Sequence, residues 1–303
     1  MNNNKRDFYE TDEINLLEII MSIWKSRLVI FITVIIFAFG SVFYSLSIPN
    51  IFTSSSTLSV AGNSGGSESN SGLNMIGSIT GINIGGSGTS KSELIITTIQ
   101  SRDFLRHLLT FENIKPTLAA FKSYDRDNKK ITYNENIYDS SSKSFTKDIS
   151  RLPTFQTIYN SYSKMLSINR SKSGFIDISI KHQSPEFAYN FLSLIIKEID
   201  TLSRSNDLNE SKDSLNYLYN ELASTQEIEI RNSINQLIIS ELRQQMLAEV
   251  KQNYLINPID KPYMPELKSS PNRPKICILG TILGFFIGIL ISLIRYFGFK
   301  KNT

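Results

Sequence analysis

The chain has 303 residues, 41% hydrophobic and 20% charged, with 32 Lys and Arg against 28 Asp and Glu, averages that describe an ordinary soluble protein. The distribution excludes that description. Residues 28–48 and 276–294 carry no Asp, Glu, Lys or Arg, and each block is long enough to cross about 30 Å of hydrocarbon as a helix.

The first block starts after an acidic-leaning segment with Asp7, Glu10, Asp12, Glu13 and Glu18, and is followed by Pro49-Asn50. A cleavable signal peptide has a basic start, a shorter apolar core and a small-x-small site, so the block reads as a retained anchor. Lys25 and Arg27 precede it, and the 20 residues after it hold no Lys or Arg, which places the N-terminus in the cytoplasm. Lys261, Lys268, Arg273 and Lys275 before the second block balance Arg295, Lys300 and Lys301 after it, so the first span decides the topology. The expectation is a helical hairpin in a bacterial inner membrane: cytoplasmic 1–27, span 28–48, periplasmic 49–275, span 276–294 and cytoplasmic tail 295–303. The periplasmic part carries 25 basic and 23 acidic residues, a balance that offers no face for nucleic acid.

Along that part, IFTSSSTLSV (51–60) alternates as a half-buried strand, although Ser54 and Ser56 sit on the apolar parity. Residues 61–90 contain nine glycines and many serines and read as a loop whose Leu73, Met75, Ile76, Ile79, Ile82 and Ile84 pack on something. Helical spacing begins at Ser92, with Ser101 as an N-cap for a restart and Asp103 in its first turn. Residues 122–147 are polar and read as a surface excursion, and TFQTIYNSYS (154–163) as a short helix. Residues 165–169 and 175–182 flank Arg170-Ser171-Lys172-Ser173-Gly174 as a β-hairpin that buries Ile176, Ile178 and Ile180. Ser184-Pro185-Glu186 opens a helix whose apolar face is Phe187, Ala188, Phe191, Leu192, Ile195, Ile199 and Leu202. From 206 to 253 there is no Pro or Gly, which predicts one long helix, broken at most once, of roughly 70 Å. Its 3–4 register holds through Leu208, Leu215, Leu218 and Leu222, fails over 225–229 and resumes shifted at Ile230 and Ile234. YLINPID (254–260) reads as a returning strand, and Pro258, Pro262, Pro265, Pro271 and Pro274 make 258–274 a stiff connector. In the second span Gly280, Gly284 and Gly288 fall four apart on one face, where another helix can approach closely.

The chemical inventory is thin. His107 and His182 are the only histidines, the second reading as a surface residue beside Lys181, and Cys277 is the only cysteine. No HExxH, GxSxG, SxxK or P-loop motif gives nucleophilic, zinc or nucleotide chemistry a place, so neither an enzyme nor a cofactor is expected.

Four stretches in this order carry a likeness: DEINLLEIIMSIWKSR (12–27), IFTSSSTLSV, ISIKHQSPEFAYNFLSLII (178–196) and SSPNRPKICILGTILGFFIGILISLI (269–294), the last with Pro271, Arg273 and Pro274 entering the glycine-rich span. Together they resemble the polysaccharide co-polymerase family, the Wzz-type chain-length determinants of bacterial lipopolysaccharide biosynthesis. The resemblance implies an α+β periplasmic domain, an α/β base with long extended helices, between two transmembrane helices. It implies a homo-oligomer in contact with membrane lipid, a Wzy-type polymerase and an undecaprenyl-diphosphate-linked glycan, regulating O-antigen chain length without being an enzyme. A capsule or exopolysaccharide export adaptor and a membrane-anchored periplasmic sensor are the competing expectations. The nine residues after the second span leave no room for a fused kinase, and segment 61–90 departs from the family pattern.

Overall fold

The computed structural model describes residues 24, 26–60, 91–172 and 174–300. The readings of 61–90 and of the amphipathic stretch before Trp24 fall outside them. In chain order the elements are α1 (Arg27–Ser47), β1 (Phe52–Val60), α2 (Lys91–Gln100), α3 (Arg102–Leu108), α4 (Ile114–Ala120), β2 (Phe121–Asp125), β3 (Lys130–Tyr133), β4 (Tyr138–Asp139), β5 (Ser144–Phe145), α5 (Phe155–Met165), β6 (Leu166–Arg170), β7 (Ile176–His182), α6 (Pro185–Ser224), α7 (Ile228–Val250), β8 (Ile256–Asp260) and α8 (Arg273–Lys300). They form two units, Met1–Asn50 with Ser269–Thr303, and Ile51–Lys268.

The first unit is the pair of apolar helices, both long and apolar enough to cross a membrane. Their large side chains point away from the chain, with Phe39 and Phe43 about three-quarters exposed, which a core helix of a soluble protein would not tolerate. The hydroxyls are turned inward: Thr33 Oγ1 donates to the Ile30 carbonyl and Ser41 Oγ to that of Ala38, both at 2.8 Å. These local bonds hide polar atoms that hydrocarbon could not solvate.

The second unit is built on an antiparallel sheet of order β6-β7-β1-β8. Its inner face carries Leu58 and Val60 from β1 and Ile176, Ile178 and Ile180 from β7, as the alternation predicted. Phe187, Phe191, Leu192, Ile195 and Ile199 of α6 cover that face, and Ile99, Phe104, Leu105, Leu108 and Tyr162 from α2, α3 and α5 complete the core. Two predicted starts are made by the expected caps, Ser101 Oγ accepting from Phe104 N and Ser184 Oγ from Phe187 N, and a third helix is capped by Thr154, whose Oγ1 accepts from Thr157 N. Ser54 and Ser56, the two serines on the apolar parity of β1, are buried because their hydroxyls donate to the carbonyls of Tyr263 and Asp260. They carry contact onward where β8 gives way to the proline-rich segment, which is poor in backbone donors.

Two expectations are sharpened and a third is overturned. The run 206–253 is broken once, at 225–227, within the expectation of a long helix broken at most once, but the chain turns back on itself there. The helix begun at Pro185 continues without interruption for 40 residues to Ser224, and the chain reverses over 225–227 into α7. The two arms are antiparallel: Ser211 Oγ donates to Glu241 Oε2 at 2.7 Å, and Leu215 packs with Ile234 and Ile238. The slip in register marks the turn. Thr225 Oγ1 donates to the Glu221 carbonyl, and Arg231 Nη1 reaches back to the carbonyls of Leu222 at 2.8 Å and Thr225 at 3.0 Å. These side chains satisfy the end of α6 in place of the usual glycine. Second, the polar excursion 122–147 folds into two small two-stranded ladders, β2-β3 and β4-β5. Third, His182 is buried, between the rings of Phe121 and Phe187 with centroids 4.5 and 4.6 Å away.

Candidate functional site

In the first unit, Gly280, Gly284 and Gly288 of α8 lie against α1. A Cβ added at Gly280 would collide with Ser41, at Gly284 it would sit 2.5 Å from Phe37 Cβ, and at Gly288 it would strike Thr33. The contacts run backward along α1 as α8 advances, so the helices are antiparallel. Their backbones approach to a distance that only a missing side chain permits. At the start of α8, Asn272 Oδ1 accepts from Lys275 N at 3.4 Å, and Pro274 occupies the first turn, where a missing N–H costs nothing. Arg273 Nη2 donates to Asn50 Oδ1 at 3.2 Å. The proline-rich motif thus anchors the entry to α8 through Arg273.

In the second unit the helical hairpin has two apolar faces. Positions three and four apart, Ser211, Leu215, Leu218 and Leu222 on α6 and Ile234, Ile238 and Glu241 on α7, meet between the arms. About a third of a turn further around α7, a second stripe of Ile228, Ile239, Leu242, Met246 and Val250 faces outward, with Ile228 77% and Val250 80% exposed. Sequence reading did not separate these faces, because no reversal was expected at the break and the shifted register blurred both. Large apolar residues exposed together on one helix face make this a candidate interaction surface.

Where α6 leaves the sheet, Asp200, Arg204 and Asp207 form a polar cluster with the chain returning from α7. Asp200 Oδ1 accepts from the backbone of Tyr254 and Leu255 at 2.9 and 2.7 Å. Tyr254 donates its hydroxyl to Asp207 Oδ2 at 2.6 Å. Burial, the bond to Asp207 and that carboxylate's charge all push the Tyr254 hydroxyl pKa up. The signal available in sequence was the i, i+4 pair of Asp200 and Arg204.

The remaining titratable groups are structural. Burial pushes His182 down to about 4, and Ser184 N donates to Nδ1 at 3.0 Å, a bond that only the unprotonated nitrogen can accept. A neutral ring, edge-on to Phe121 and tilted against Phe187, is part of the core. His107 Nε2 lies 2.8 Å from the buried Glu198 Oε2 and joins α3 to α6. The Tyr162 hydroxyl is raised by burial and donates to the Ile99 carbonyl at 2.7 Å. Among the described residues no group of three or more His, Cys, Asp or Glu could hold a metal ion.

Comparison with known proteins gives a match to one family model and similarity to solved structures. Residues 12–110, about a third of the chain, match the family model of Wzz, chain length determinant protein. A solved structure described as a full-length bacterial polysaccharide co-polymerase is similar over 95% of this chain and 100% of its own, at 14% identity and a TM-score of 0.42. No curated protein matches the chain. The resemblance to Wzz-type chain-length determinants drawn from sequence is therefore shown over 12–110, a region that includes the first apolar helix, β1 and α2. Wzz family chain-length determinants are regulators of polymerisation and are not enzymes.

Proposed function

We propose that this protein regulates the length of a surface polysaccharide, the O-antigen of lipopolysaccharide, as a homo-oligomeric inner-membrane scaffold beside a Wzy-type polymerase. The observation that carries the reading is the match of residues 12–110 to the chain length determinant family. Two helices apolar enough to span a membrane, one on either side of the mixed helix and sheet unit, support it. In this reading both termini lie in the cytoplasm, and residues 49–275 lie in the periplasm, where the glycan on undecaprenyl diphosphate is extended.

The outward stripe of α7 suits contact between protomers. A chain held in the membrane at both ends of its large loop is confined to two dimensions, which raises the effective concentration of like for like. The glycine face of α8 supports a closely packed pair of spans, with Pro271, Arg273 and Pro274 setting where the second one begins. No covalent step is assigned to this chain.

Deletion of the gene followed by gel analysis of surface polysaccharide tests the function. Loss of a modal band with polymer retained is expected; loss of all polymer would indicate export. Fusions of a reporter active only outside the membrane should work at Asn128 and fail at Thr303, and activity at Thr303 would sink the hairpin topology.

A further inference from the structure

The two apolar clusters along α6 are separate. The sheet core ends at Ile199 with Leu202 packed at its margin, and the hairpin core is centred on Leu215, Ile234 and Ile238. Between them the returning chain is held by polar contacts from one face of α6, at spacings of four and three. Arg204 is their centre. Its Nη1 donates to the Ala248 carbonyl and its Nη2 to that of Gln252, both at 2.8 Å, closing the C-terminal end of α7. Nη2 also reaches Asp200 Oδ2 at 3.1 Å, and the guanidinium lies 5.8 Å from the Tyr254 ring centroid. Asp200 Oδ1 accepts from three consecutive amides, Tyr254, Leu255 and Ile256, the last of which opens β8. One side chain therefore grips the end of α7 and its neighbour grips the start of the strand that joins the sheet.

We propose that Asp200, Arg204 and Asp207 form a clamp that positions α7, and with it the stripe from Ile228 to Val250, on the sheet, so that hairpin and base act as one body. The proposal rests on the reading of that stripe as a protomer contact and of the chain as a length regulator. Without the clamp α6 remains continuous, and α7 keeps its contacts near Leu215 but loses its tie to β8. Charged donors on otherwise unpaired helix carbonyls are the stronger class of hydrogen bond. Arg204 is the member whose loss releases the end of α7, while Asp200 keeps its bonds to the start of β8.

Amide hydrogen exchange on the full chain in lipid nanodiscs separates a clamp from general stability. In Arg204→Gln, exchange over the last two turns of α7 should accelerate about ten-fold, the loss of one charge-assisted bond, with β7 unchanged. Arg204→Lys should restore part of the protection, and Tyr254→Phe, which removes only the bond to Asp207, should accelerate exchange about two- to three-fold. Unchanged α7 exchange in both Arg204→Gln and Tyr254→Phe overturns the clamp, as does acceleration of α7 and β7 in step. In cells holding normal levels of the Arg204→Gln protein, the glycan ladder should lose its sharp mode. A loosened α7 with an unaltered ladder severs the clamp from length control. A deletion strain that keeps its ladder removes the functional reading and leaves the exchange result standing.

Discussion

The chain contains two antiparallel helix pairs, and they are built on opposite rules. α1 and α8 meet through Gly280, Gly284 and Gly288 against Ser41, Phe37 and Thr33, whereas α6 and α7 meet through Leu215, Ile234 and Ile238. In water, burying Leu and Ile is itself the driving force. In lipid a leucine gains nothing by leaving hydrocarbon for another helix, and close backbone approach supplies the attraction. The same geometric problem thus receives large side chains in one unit and none in the other, and the choice reports the solvent each pair was built for.

That contrast can be broken, and the largest effect should come at the interior of the hairpin. Ile238→Ala should destabilise the second unit by about 3 to 4 kcal/mol, the cost of a buried aliphatic truncation, read as a lowered urea midpoint. A midpoint within error of the parent would show that the hairpin core is not held by burial. In the other pair the dangerous change is enlargement. Gly284→Leu should cost about 3 kcal/mol of helix pairing through overpacking against Phe37, lower the melting temperature in detergent and shift the glycan mode. If both stay at parental values, the glycine face is background.

Acid distinguishes the units next. His182 has its pKa depressed to about 4 from 6.5 by burial, so below pH 6.5 the unfolded chain takes up a proton that the folded chain refuses. Stability should fall as pH drops through 6.5 and go on falling until about 4, a loss of about 2 kcal/mol between pH 7 and pH 5. Denaturation of the second unit at the two pH values checks this, and His182→Gln should flatten the dependence. The uncharged stretches of the helix pair contain no group that titrates in this window, so its melting should be indifferent to the same change. The smallest effect belongs to the hairpin turn. Arg231→Gln, which loosens the cap on Leu222 and Thr225, should cost about 1 kcal/mol with the fold retained, again read from the urea midpoint.

Period-two and period-3.6 patterns over 51–60, 176–182 and 185–202 were legible because those segments bury one face against a single partner. The glycine spacing of four was legible for the same reason. The break at 225–227 showed only as the slip in register; that the chain reverses there was not legible, because Thr225 and Arg231 make the turn with side chains that also suit a helix interior, in place of Gly or Pro. His182 was misread because its sequence neighbour Lys181 is exposed, while alternation along a strand puts the next residue on the other face. The clamp joins residues about 50 positions apart, a relation that no local pattern carries. The buried serines of β1 looked like flaws in an apolar stripe until the carbonyls of Asp260 and Tyr263 were seen to need them.

The hairpin's ends are both finished locally, one by Thr225 and Arg231 at the tip and the other by Asp200, Arg204 and Asp207 at the root. The stretch between repeats its inner contacts every seven residues. Seven residues inserted into each arm at matching heights would preserve the inward face and leave both ends untouched. The arm is therefore a modular spacer, extensible by about 10 Å per insertion, and its reach is a quantity that evolution can change without redesigning the fold.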